Sequence, residues 1–262
     1  MTNTLPIYKR EMKSYFTSPV AYVVIAMFLL ITGYLFANQF WGFVKASQEA
    51  YQRASDPMFG GQIPILNITE SVLRSVFGTM SFILLLVLPM LSMKLFAEEK
   101  RLGTIELLFS YPIKDWELVL GKFLASMTLF TIMLATTLPY PLMLHYFGDP
   151  ETPTIITSYI GIFLMGMGFI SLGVFVSSMT ENQIVAVVGS FGALLLFWLL
   201  GIIAPLASPK VGAVLRHAAT TSHVQNFVKG IVESRDVVYY LNFTFFFLFL
   251  TLCSLGSKKW RG

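Results

Sequence analysis

Charge is scarce in this chain. Of its 262 residues only 12% are Asp, Glu, Lys or Arg, about half the share of an ordinary soluble domain. Mean hydropathy is +0.70. Too few ionic groups are present to cover a water-facing surface, so the bilayer is the expected solvent. Cysteine is nearly absent. Cys253 stands alone, which excludes an internal disulfide and a cysteine metal site and leaves a small residue in the core or against lipid. The three histidines, His145, His217 and His223, form no i, i+4 metal pair, and H-E-x-x-H does not occur. G-x-S-x-G is missing as well. So is the phosphate-binding G-x-x-x-x-G-K-[ST]: "LGKF" at 120–123 lacks the upstream glycine and the hydroxyl residue. The chain is therefore not expected to be an enzyme or to hold a cofactor of its own. The pI is about 9.1, but the basic residues fringe apolar runs and do not cluster, which argues against a nucleic-acid partner. All 18 basic and 14 acidic residues fall in connections, termini or run ends. Proton-driven carriers keep ionisable relays inside the membrane, so that class is disfavoured.

What is abundant is continuous apolar sequence. Six long runs lie near 19–40, 75–95, 117–146, 155–177, 184–206 and 237–256. Each approaches the ~20 residues that a helix needs to cross ~30 Å of hydrocarbon. The runs do not alternate, which points to helices and not to a barrel. The fold class is thus an all-α membrane protein, a single domain with six transmembrane helices. The third run is long, and Pro139 and Pro141 are expected to kink it near its far end.

Six spans place 11 basic residues on one side (Lys9, Arg10, Lys13, Lys94, Lys100, Arg101, Lys114, Lys122, Lys258, Lys259, Arg261) and 7 on the other. The acids divide seven and seven, so the net +4 falls on the first side, which the positive-inside bias makes cytoplasmic together with both termini. The first run is too long for a signal-peptide core and no A-x-A site follows it, so it reads as a retained span. Ahead of it, "LPIYKREMKSYFTSP" puts Ile7, Tyr8, Met12, Tyr15 and Phe16 on one helical face with Lys9, Arg10 and Lys13 away from it. This is either an interfacial helix on an anionic leaflet or a simple basic anchor.

Between the second and third runs lies "FAEEKRLGTIELLFSYPI", 96–113. From Glu98 it reads as a short helix with a stripe at Leu102, Ile105, Leu108 and Phe109, weakened at Gly103 and ended by Pro112, with Asp115 as N-cap of the next span. A soluble partner can grip such a helix in a groove, with its charges setting register; lying on the lipid surface is the competing reading. On the other side, Ser222 is placed to cap a helix in which Val224, Phe227, Val228 and Ile231 recur at helical spacing, and Asp236 to cap the last span. The loop 41–74 reads as irregular, and its "NIT" at Asn67 is a sequon without a context. Gly161, Gly166, Gly168, Ser171 and Gly173 in the fourth run, with Gly189 and Ala193 in the fifth, suit close helix packing.

"EEKRLGTIELLFSYPI" resembles the coupling-helix region of type-2 ABC-transporter permeases, with an E-x-x-x-G-T-x-E-x-L pattern at Glu98, Glu99, Gly103, Thr104, Glu106 and Leu107, then Pro112. "YKREMKSYFTSPVAYV" resembles that family's N-terminal helix, and "HVQNFVKGIVESRDVVYYL", 223–241, its outer segment before the last span. The patches span most of the chain in the family's order, and the nearest branch is the gliding-motility-associated permease, with a nitrous-oxide reductase maturation branch close by. The resemblance implies a six-span half-transporter of a bacterial inner membrane. It would pair with a second permease copy or homologue and with separate ABC-type ATPase subunits that carry the ATP and Mg. Glu98, Glu99, Arg101, Gly103, Thr104, Ile105, Glu106 and Leu108 would meet the ATPase. A short outer helix pair containing His223, Phe227 and Gly230, with Asp236 beyond it, would close the pathway, and membrane lipid would surround the spans. The alternative is a non-transporting scaffold that anchors a soluble complex through the same charged segment.

Overall fold

The computed structural model describes residues 4–54, 67–104 and 113–259. Among these, all regular structure is helical. The order is α1 (Thr4–Thr17), α2 (Pro19–Ala54), a π-helical turn (Thr69–Leu73), α3 (Arg74–Ser92), α4 (Lys94–Arg101), α5 (Asp115–Ala135), α6 (Pro139–Phe147), α7 (Thr152–Met179), α8 (Gln183–Ile203), α9 (Pro209–Ala218), α10 (Thr220–Val228) and α11 (Ser234–Lys259). Six stretches are long and apolar enough to span: Ala21–Arg53, Thr69–Arg101, Asp115–Phe147, Thr152–Met179, Gln183–Leu206 and Ser234–Ser257. The six-span expectation holds.

The spans are not equivalent. The second, third and fourth are 61–67% buried, against 28%, 17% and 22% for the first, fifth and sixth. The core is therefore α3, α5 and α7, and α2, α8 and α11 turn wide apolar faces outward (Leu30, Leu196 and Phe245 among them). Glycines let α7 into the centre. A Cβ at Gly166 would sit 2.2 Å from the Phe130 ring of α5, and one at Gly173 would sit 2.0 Å from Ser92 Oγ of α3. The small-residue pattern thus marks close helix contacts, as expected.

Five sequence expectations change. The region 41–74 is not wholly irregular: α2 runs on to Ala54 as a 36-residue helix, about 54 Å long at 1.5 Å per residue, far beyond the hydrocarbon. The third span breaks, as its prolines suggest, but ahead of Pro139. Its α-helical course ends at Ala135, Thr137 donates its hydroxyl to Leu134 O at 2.7 Å, and Pro139 opens α6. Asp115 is the first residue of α5 and not its cap; Lys114 holds that position, with its N–H donated to Glu117 Oε2 at 3.3 Å. Ser222 lies inside α10, whose cap residue is Ala219, and Asp236 is the third residue of α11, which opens at Ser234, and not its cap.

Because the spans alternate, the α4, α5 and α11 connections define two ends of the bundle. One carries α1, the close of α4, the start of α5 and the α7–α8 turn. The other carries the π turn, α6, the start of α7 and the helix pair α9–α10.

Candidate functional site

The α1 end is built around buried charge. Helix α1 lays Ile7, Glu11 and Tyr15, spaced i, i+4, i+8, against the bundle, so the expected apolar stripe exists but has an acid at its centre. Phe16, expected on that stripe, is 41% exposed. The helix seats on Gly121 of α5, where a Cβ would lie 2.8 Å from the Ile7 side chain. The next residue, Lys122, has a side chain only 1% exposed, and its ammonium lies 2.9 Å from both Glu11 Oε1 and Glu99 Oε1. Arg10 reaches in from α1 to bond Glu99 and lies 3.5 Å from Glu11. Two cations and two carboxylates thus form a neutral cluster joining α1, α4 and α5. Enclosed ions persist only when paired and hydrogen-bonded, and here each carboxylate faces both cations. Tyr15 completes the contact: its hydroxyl donates to Leu91 O at 2.7 Å and lies 3.0 Å from Ser126 Oγ, and burial pushes its phenol up from the ordinary value.

Helix α4 is held from α7 as well. Ser177 inserts its hydroxyl where α3 passes into α4. It donates to Met93 O at 2.7 Å and accepts from the N–H groups of Phe96 and Ala97, both at 3.1 Å. A hydroxyl entering the backbone ladder is a known cause of a helix break. Lys100 donates to Ser178 O.

The residues expected to meet a partner separate here. Glu98 to Arg101 do not begin a new helix but close the one that leaves the membrane. Gly103, at φ +67°, is the left-handed residue that ends it, with its N–H on Lys100 O at 3.1 Å and the Thr104 hydroxyl on Glu99 O at 3.3 Å. Arg101, Gly103 and Thr104 are exposed, Glu98 is half-buried, and Glu99 points inward to the ion cluster. Ile105, Glu106 and Leu108 lie outside the described residues. Sequence reasoning missed Glu11, Lys122 and Ser177. Two signals were present: an acid four residues from apolar neighbours on either side of it, and a lysine near the start of the third apolar run.

At the opposite end His223 is buried on α10, with Nδ1 2.6 Å from Asp236 Oδ1 and Nε2 3.0 Å from His217 O. Asn226 donates to the other Asp236 oxygen at 2.8 Å. Asp236 therefore grips α10 from the first turn of α11. Tyr239 stacks on the His223 ring at 3.9 Å. Phe227 is fully buried against Gly161, and its carbonyl accepts from Thr157 Oγ1 at 2.9 Å. Gly230, at φ +82°, ends α10 in a Schellman turn: Ile231 N donates to Asn226 O and Gly230 N to Phe227 O, both at 3.0 Å. All four residues expected here belong to one packed unit.

Six spans, a charged helix end at one face and a paired-helix cover at the other define a multi-pass membrane protein. The family described as ABC-2 family transporter protein matches residues 5–256, and the chain belongs to it. It is thereby a membrane subunit of an ABC transporter, of a class that is generally not catalytic itself and normally works with an ATP-binding subunit. No curated protein matches the chain.

Proposed function

We propose that this chain is the membrane half of a dimeric ATP-driven exporter of a bacterial inner membrane, nearest to the gliding-motility-associated branch, with both termini cytoplasmic. A separate ATPase subunit, with its ATP and Mg, grips the segment that follows Gly103, and Glu98, Arg101, Thr104, Ile105, Glu106 and Leu108 form the gripped surface. Glu99 acts one step behind it, by fixing α4 to α1 and α5. The observation that carries this reading is the Glu11–Lys122–Glu99–Arg10 cluster directly behind the exposed turn. A partner's push on that turn is passed to three helices and is not absorbed by a loose loop. The α9–α10 pair closes the outer end of the path.

The test is purification from native membranes in mild detergent, with partners identified by mass spectrometry and assayed for ATP hydrolysis. Wild type retains a P-loop ATPase; Gly103→Pro and Glu106→Arg lose it or uncouple its hydrolysis from transport while still inserting in the membrane. A stable complex without an ATPase refutes the transporter reading in favour of a scaffold.

A further inference from the structure

The charged turn and the paired-helix cover lie at opposite ends of the bundle, and the helices that run between them are fastened unequally to the two. Helix α3 is the obvious link, since α4 continues from it. Its outer end, however, faces α10 across a cavity of about 380 Å³, walled by Gly78 and Ser81 of α3, Trp198 of α8, and Val224 and Val228 of α10, and among the described residues no hydrogen bond crosses it. Helix α8 precedes the cover in the chain but meets α10 by packing alone: a Cβ at Gly201 would lie 2.2 Å from Thr221 Oγ1. Helix α7 is fastened at both ends. On the side of the charged turn, Ser177 Oγ joins Met93 O to the N–H groups of Phe96 and Ala97, and Lys100 donates to Ser178 O. On the side of the cover, Thr157 Oγ1 donates to Phe227 O at 2.9 Å, and a Cβ at Gly161 would lie 2.4 Å from the Phe227 side chain. Between Thr157 and Ser177 the helix is unbroken and spans about 30 Å at 1.5 Å per residue, one hydrocarbon thickness. Helix α11 lies along it, with the Phe175 and Phe247 rings 5.8 Å apart, and grips the cover through Asp236 and through the Tyr240 hydroxyl on Thr220 O at 2.7 Å.

We propose that α7 is the rod that carries a displacement of the charged turn to the outer cover, with Ser177 and Thr157 as the positioning residues at its two ends and α11 riding on it. A close-packed interior transmits strain and does not absorb it, so a shift of ~1–2 Å at Ser177, the size helices make at interfaces, reappears at Thr157. There it is handed to the backbone of α10 through the Phe227 carbonyl. The cavity gives α10 room to follow, and α3 and α8 form the wall against which it moves. That an ATPase supplies the displacement rests on the transporter reading; the link between the two ends does not.

Hydrogen–deuterium exchange of the full-length chain in nanodiscs reads both ends at once. Ser177→Ala should raise exchange in 93–101 and, at the far end, in 220–231, there by at least about twofold, the lower end of couplings carried through packed side chains. Thr157→Val removes the other hydroxyl at nearly constant volume. It should raise exchange in 220–231 and, because coupling between sites is reciprocal, in 93–101 as well. Thr157→Ser keeps the hydroxyl and should behave as wild type at both ends. Ser81→Ala on α3, whose hydroxyl bonds only within its own helix, to Phe77 O at 2.8 Å, should move neither. Variants that each change only their own end overturn the proposal. So does an equal response to Ser81→Ala, which would mean general loosening, or a Thr157→Ser chain that matches Thr157→Val. If Ser177→Ala fails to insert, the two Thr157 variants decide alone, by their effect on 93–101. Far-end coupling in a chain found to have no ATPase partner upholds the rod and removes its part in transport.

Discussion

Replacing Lys122 by Met tests the buried ion cluster most directly. The two side chains are alike in volume, so packing is largely kept and charge is what changes. Lys122 is in contact with both Glu11 and Glu99 at 2.9 Å. Without it, two enclosed carboxylates share Arg10, whose side chain is 55% exposed and lies 3.5 Å from Glu11. Removing one partner of a buried pair costs about 3–5 kcal/mol. Because Arg10 stays on Glu99, the low end applies, about 3 kcal/mol. Adding Glu11→Gln removes the carboxylate left worst served and restores neutrality, so the double variant should regain at least about half of that loss, a coupling that double-mutant cycles of contacting groups resolve. The assay is unfolding in mixed dodecylmaltoside and SDS micelles, followed by tryptophan fluorescence. A single variant within about 0.5 kcal/mol of wild type, the range of ordinary surface substitutions, would refute the reasoning. So would a double variant whose loss equals the sum of the singles.

Tyr15 supplies a pH dependence with a definite sign. Its phenol is raised above the ordinary 10.0 by burial, so the folded protein favours the neutral form. This contribution is fully present below pH 10 and is lost as pH rises, because the unfolded chain ionises first. By about pH 11 the loss is on the order of 1 kcal/mol. Tyr15→Phe should be about 1 kcal/mol less stable at neutral pH, through lost hydrogen bonds, and flatter above pH 10; parallel curves would refute the assignment. Asp236→Asn weakens the acceptor shared by His223 and Asn226, at a cost of about 1–3 kcal/mol. Limited proteolysis should then cut near residues 219–233 faster than in wild type, and an unchanged pattern would show that Asp236 does not hold α10.

The six spans, the proline break and the glycine contacts were legible because each rests on local chemistry: apolar run length, a missing N–H, a missing Cβ. Phe227 was placed on its helix by spacing and Gly230 by the family resemblance, whereas Asp236, expected to cap the last span, serves as an acceptor for α10. The ion cluster was not legible, since it joins residues far apart in sequence: Glu11, Glu99 and Lys122 meet only when α1 lies on Gly121. Glu98 to Arg101 misled for a related reason. A run of charge after an apolar stretch looks like a new element, and only the positive φ of Gly103 shows it to be the end of the previous one. The length of α2 was hidden because its polar second half, 41–54, lacks the apolar signal that marked the first.

Ser177 links these parts. Its hydroxyl serves Met93 O and two N–H groups of α4, and α7, on which it stands, also carries Gly161 against Phe227 of α10. One helix thus touches the exposed charged turn's support at one end and the paired-helix cover at the other. Ser177→Ala leaves the N–H groups of Phe96 and Ala97 without their acceptor in a buried place. If the break persists, two unsatisfied donors cost about 2–6 kcal/mol together. If α4 instead rotates into line with α3, the ladder closes and the loss is small, but the turn at Gly103 moves relative to α1 and strains the Arg10–Glu99 contact. The two outcomes separate by spin-label distances from a cysteine at Arg101 to one at Lys13, in a Cys253→Ser background. An unchanged distance goes with the large stability loss, and a lengthened one with the small loss. A variant that keeps both the distance and the stability of wild type would show that Ser177 does not hold the break, and that α4 owes its direction to the ion cluster and the Lys100–Ser178 contact.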